Sequence, residues 1–208
     1  MPPTARPIPR FVAEPPHELE PYGRWRHTLE ERFFAACAGL EDFESLGEPG
    51  DIEWFPSRAY GGRTYVPATA PTDGGHELFG FVSFVRSADG DAGEFASRVD
   101  FTDETADKNP GWKLDLNEEV IAPWRGPGEA VGEITLVWGT PLVAGGVAVT
   151  AELGEDTVDQ CALVQSNRFT LIALDAVRGL GDDLYLEVKL WGRRTDLVAV
   201  ESLYEAGD

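Results

Sequence analysis

The chain has 208 residues, of which 42% are hydrophobic, 11% aromatic and 26% charged. That composition excludes a disordered chain or a collagen repeat, and the length is enough to bury a sizeable core without disulfides. Thirty-seven acidic residues against 17 basic ones give a net charge of -20. This balance repels phosphate backbones and anionic headgroups, so no nucleic acid and no membrane is expected as a partner. Fourteen of the basic residues are arginine and three are lysine (Lys108, Lys113, Lys189), a bias shared by high-GC genomes and salt-adapted proteins.

In chain order, residues 1–17 are proline-rich (Pro2, Pro3, Pro7, Pro9, Pro15, Pro16). They contain no apolar core of a signal peptide and read as an extended arm. Such an arm either lies along a neighbouring subunit or partner, or is a tail. From Glu20 to Leu40 the apolar residues Tyr22, Trp25, Leu29, Phe33, Ala36 and Leu40 recur at steps of three and four. That spacing predicts one amphipathic helix, opened at Pro21 and ended near Gly39.

Beyond Gly50 the period changes to two. Val147 to Leu153, Leu184 to Leu190 and Leu197 to Tyr204 alternate as half-buried antiparallel strands do. Leu78 to Val85 is apolar on both faces and is expected to run through the interior. Further strands are predicted at 134–138, 161–165 and 169–174, and weaker ones at 52–55, 64–68, 95–101 and 112–116. Clusters of Gly and Pro at 61–62, 71–75, 89–93, 125–128 and 179–183 punctuate them. The prediction is a mainly β chain: a single antiparallel β-sandwich or barrel-like domain, residues 18–208, of about ten short strands with one N-terminal helix.

Several chemistries lack their signatures. The three histidines (His17, His27, His76) have no zinc spacing, and no P-loop, nucleophile elbow or dinucleotide fingerprint occurs. Cys37 and Cys161 lie far apart without CxxC partners, as in a reduced, cytoplasmic protein. No run approaches the roughly 18 apolar residues of a spanning helix.

Two acidic clusters stand out. Asp100, Asp103, Glu104 and Asp107 would project from one face if that segment made helical turns. Hard carboxylate oxygens so gathered select Ca²⁺ or Mg²⁺, with Ca²⁺ the cofactor to expect. Asp115, Glu118 and Glu119 lie between Trp112 and Trp124. Paired carboxylates beside indoles suit a sugar, with the acids as proton donor and acceptor and the rings stacking on the pyranose. The aromatic residues Trp54, Phe79, Phe81, Trp138 and Trp191 either line a cavity or fill a core. The leading expectation is a binding or assembly module, not an enzyme, joined to a protein partner or to copies of itself. The alternative is a small-molecule or carbohydrate-binding β-barrel or sandwich, extending to an unusual hydrolase.

Overall fold

The computed structural model describes residues 23, 25–41, 43–163, 167–179 and 184–202. The arm 1–17, the helix start at 20–22, the end of the 161–165 strand, the 180–183 part of a turn and Tyr204 lie outside them. The chain divides into two compact units, one formed by Pro16–Asn117 and the other containing Glu118–Asp208.

The first unit packs a helix on a sheet. Helix α1 (Arg26–Cys37) buries Leu29, Phe33 and Cys37, four residues apart and therefore on one stripe. It ends two residues before Gly39, whose N–H bonds the Ala36 carbonyl. Strands β1 (Glu53–Trp54), β2 (Arg58–Tyr60), β3 (Arg63–Pro71), β4 (Glu77–Arg86) and β5 (Ala92–Thr102) form an antiparallel sheet in the order β1-β3-β4-β5, with β2 also on β3. The stripe of α1 packs on Trp54, Val66, Ala68, Ala70, Leu78, Val82 and Phe84. Trp25 and Phe84 meet with ring centroids 5.4 Å apart.

β2 turns into β3 through Gly61 and Gly62, at φ 58° and 81°. Both central residues of that two-residue hairpin need a left-handed backbone, which glycine adopts without a Cβ penalty. Gly80 on β4 has a different reason: a Cβ there would fall on the Arg98 carbonyl of β5.

The chain passes into the second unit inside β6 (Leu114–Arg125), after Asn117. It continues as β7 (Val131–Pro141), β8 (Gly146–Leu153), β9 (Asp156–Ala162), β10 (Phe169–Arg178), β11 (Leu186–Gly192) and β12 (Leu197–Ser202). These build a three-stranded sheet, β10-β7-β6, and a four-stranded sheet, β12-β11-β8-β9. β10 packs against β9, β8 and β11, so the two sheets lie layer on layer. The core of the four-stranded sheet is Val149, Ala151, Leu153, Leu186, Val188 and Leu190, all at most 1% exposed. A buried carboxylate ties the layers together: Asp159 of β9 accepts the Ile172 N–H of β10 at 2.8 Å. Among the described residues the sheets stay open and no barrel closes.

The mainly β, antiparallel, one-helix prediction agrees with this fold. Two differences are instructive. β6 runs to Arg125, far past the predicted 112–116, because its carboxylates mask the alternation. Pro123 falls within it, and β6 ends its sheet's order, the edge position to which proline in a sheet is confined. β2 is three residues long and too short to leave a period. Among the described residues no helix is long and apolar enough to cross a membrane.

Candidate functional site

The Asp100–Asp107 segment does not form the helical turns that would gather its acids. Asp100 is a residue of β5 opposite Phe79, and its Oδ1 accepts the Phe101 N–H at 2.8 Å. The chain then bends. Thr102 Oγ1 accepts the Glu104 N–H, Asn109 Nδ2 donates to Glu104 Oε2 at 2.8 Å, and Lys108 Nζ donates to the Asp103 and Gly75 carbonyls. Asp107 lies in the turn that follows. Glu104 and the Asp103 backbone thus serve to shape a loop. Among the described residues no group of three or more His, Cys, Asp or Glu is arranged to hold a metal ion.

Asp115, Glu118, Glu119 and Trp124 all stand on β6, and Trp112 in the turn before it, its N–H on the Asn109 carbonyl. The extended backbone decides what they can do. Neighbours on a strand point to opposite faces, so Glu118 and Glu119 do not form a one-sided pair. At a rise of roughly 3.3 Å per residue, Trp124 stands about 20 Å along the strand from Glu118. The indole of Trp124 lies over Gly126, where a Cβ would strike it, and beside Gly132. It anchors the turn between β6 and β7. Trp112 and Asp115 belong to the first unit, and Glu118, Glu119 and Trp124 to the second.

The acids of β6 are nonetheless unusual. Glu118 Oε2 is buried without a hydrogen-bond partner. Burial, and then the charges of Asp175, Glu119 and Glu133, push its carboxyl up to about 7. Glu133 and Asp175 sit directly opposite one another on β7 and β10, an arrangement that like charges disfavour. A second such group is Glu77 on β4, which sequence reasoning does not single out. Burial and the Asp115 charge raise it to about 7, opposed by an Asn117 Nδ2 bond to its Oε1 at 3.4 Å. Asp115 itself is raised by burial and by Glu53.

A different arrangement occupies the outer face of the four-stranded sheet. On β11 the buried Leu186, Val188 and Leu190 alternate with Glu187, Lys189 and Trp191, which point outward. Lys189 lies opposite Thr150 on β8 and opposite Val200 on β12, and Trp191 lies opposite Leu197. The polar members form one connected chain. Trp191 Nε1 donates to Thr150 Oγ1 at 2.8 Å, and that hydroxyl donates to Glu152 Oε1 at 2.9 Å. Lys189 Nζ then bridges Glu152 Oε2 at 2.8 Å and Glu187 Oε2 at 3.1 Å. The carboxylates raise the Lys189 ammonium pKa, through the Glu152 hydrogen bond above all.

Beside this frame stand Leu197, 51% exposed, and Val200, 43% exposed. Two open aliphatic side chains next to an indole that is fixed by its N–H make a rigid apolar patch with a charged border. Large aromatics held so are the usual anchors of interfaces. Of the aromatics considered for a cavity, Trp54, Phe81 and Trp138 are buried and Phe79 is half-buried. Trp191 sits on this outer face. Its signal in the sequence is an indole on the polar side of an alternating strand. Compared with known proteins, the chain matches no family model, and no curated protein or solved structure matches it.

Proposed function

We propose that this chain is a binding or assembly module that works through the outer face of β8, β11 and β12. The observation that carries the reading is the exposure of Leu197 and Val200 beside a Trp191 whose orientation is fixed by hydrogen bonds. An apolar surface attached to such a frame requires little ordering on binding, which favours association. Scattered exposed aliphatics are ordinary, but here Leu197 and Val200 stand opposite Trp191 and Lys189, two residues of the same outward row of β11. Cys37 is buried and its thiol is pushed up to about 12 by that burial, which leaves it a poor nucleophile for disulfide exchange.

The test is native mass spectrometry of the wild-type chain and of Leu197→Lys, each purified from its own host. A homo-oligomer, or a partner identified by mass, that Leu197→Lys loses while keeping its circular dichroism supports the reading. Bare monomers in both preparations overturn it.

A second reading, a small-molecule or carbohydrate site with hydrolytic activity, is favoured by Glu118. A carboxyl that still holds a proton near neutral pH is poised as a general acid. Turnover of any of a panel of nitrophenyl glycosides, abolished in Glu118→Gln, would establish it. Absence of turnover by the wild type across the panel removes glycoside hydrolysis.

A further inference from the structure

We propose that the outer face of β8, β11 and β12 binds the same face of a second copy of this chain, in a two-fold dimer with β11 antiparallel over β11. The inference rests on the binding-module reading and names its partner.

Pairing register orders the side chains of that face in rows across the strands. Glu187 and Glu152 share one row, Val200 and Lys189 the next, and Leu197 and Trp191 the third. Past the third row, the Thr195 N–H bonds the Gly192 carbonyl and closes a turn whose two central residues are Arg193 and Arg194. Both arginines are exposed. The acid beside them, Asp196, accepts the Arg194 backbone N–H through its Oδ1. Along the strands the face is therefore graded: acidic at one end, apolar in the middle, basic at the turn.

Such a gradient becomes its own complement when one copy is turned end for end. A two-fold axis that lies in the interface and crosses β11 at Leu190 exchanges positions equally far from it on the two copies. Glu187 and Arg193 are each three residues from Leu190, so the acidic end of one copy meets the basic turn of the other. Lys189 and Trp191 are each one residue away, which lays the lysine side chain against the other indole. Leu197 and Val200 stand opposite Trp191 and Lys189 on β12, so they exchange as well, aliphatic on aliphatic. At a rise of roughly 3.3 Å per residue, Glu187 and Arg193 are about 20 Å apart, and the apolar middle fits between the two charged ends. With the strands parallel instead, Glu187 would face Glu187 and Arg193 would face Arg193, which like charges oppose. Charge also selects the face: at -20, two copies repel over most contacts, whereas here opposite signs meet twice.

The experiment uses the full chain as wild type, as Arg193→Glu/Arg194→Glu and as Glu187→Arg. Sedimentation equilibrium over a dilution series reads self-association, native mass spectrometry reads composition, and circular dichroism reports folding. The expected result is a dimeric wild type and two charge variants whose self-association is weakened by about tenfold or more. An equimolar mixture of the two variants restores a dimer containing one copy of each, because opposite charges then meet at both ends. If Glu187→Arg does not fold, Glu187→Gln replaces it, and the mixed dimer must still be tighter than the Arg193→Glu/Arg194→Glu homodimer. The inference is overturned if the wild type stays monomeric throughout the series, if the charge variants dimerise like the wild type, or if the mixture forms no mixed dimer. A monomeric wild type that holds another protein of identified mass, lost in Leu197→Lys, removes the second copy and leaves the binding-module reading standing.

Discussion

Two sets of carboxylates in the second unit meet opposite fates. On the outer face of the four-stranded sheet, Glu152 and Glu187 share Lys189, and Glu152 also accepts the Thr150 hydroxyl. In the three-stranded sheet, Glu118 has other acids as its charged neighbours, Asp175, Glu119 and Glu133, and one oxygen buried without a partner. Both sets hang from β-strands, and the residue type is the same. The ammonium is the difference. One pair of glutamates shares it, whereas burial and then the charges of other acids push the Glu118 carboxyl up to about 7. The first arrangement suits a surface that recognises; the second makes stability respond to pH.

The strongest way to break that comparison is to remove the ammonium. In Lys189→Met, Glu152 and Glu187 become an unpaired, half-buried acid pair. The expected cost is about 2 kcal/mol at pH 7, below the usual loss for a fully buried pair because the lysine side chain is 20% exposed. Urea melts of the two proteins read that cost, and a variant as stable as the wild type would mean that Lys189 contributes nothing to this face.

Glu118→Gln sharpens it from the other side. The folded carboxyl titrates near 7 and the unfolded one near the ordinary value of 4.5. Between those values the folded state holds a proton that the unfolded state has released. The stability that this proton contributes is complete below about pH 4.5 and is lost as pH rises through 7. Glu118→Gln is therefore expected to stabilise the protein at pH 8 by about 1 kcal/mol. At pH 4 it should change little, and the dependence that remains should include Glu77 and Asp115, both raised and therefore of the same sign. A variant less stable than the wild type at pH 8 would contradict the arrangement.

The smallest expected effect concerns the frame itself. Thr150→Val removes the acceptor of the Trp191 indole N–H and the hydroxyl donor to Glu152. The expected loss is about 1 kcal/mol, the net worth of an ordinary hydrogen bond. A change in tryptophan emission should accompany it as the ring is released. Unchanged emission and stability would show that the indole is held by packing alone.

Much of the architecture was legible beforehand, and the reasons are local. Leu29 and Phe33 announce a helix by their spacing, and α1 buries both. Leu186, Val188 and Leu190 alternate with polar residues because one side of β11 is core and the other open. Gly61-Gly62 marks a break between strands, and there both residues take the left-handed backbone that glycine accepts most readily. The acidic clusters were visible as residues but not as geometry. Whether Asp100 to Asp107 converge depends on helix or strand, and Asp100 joins β5. Glu118 and Glu119 are neighbours in sequence and point apart on β6.

By itself, then, the sequence determined the class of fold, most strand positions and the acidic character of the chain. Periodicity and backbone preference act over a few residues, and charge is a sum. Tertiary structure alone decided which distant residues meet. Trp191 and Thr150 are 41 positions apart and bond at 2.8 Å, and Lys189 reaches Glu152 across 37. Pairing register brings them together, and register is set by burying one face of each strand against the rest of the sheet, a property that no single strand contains.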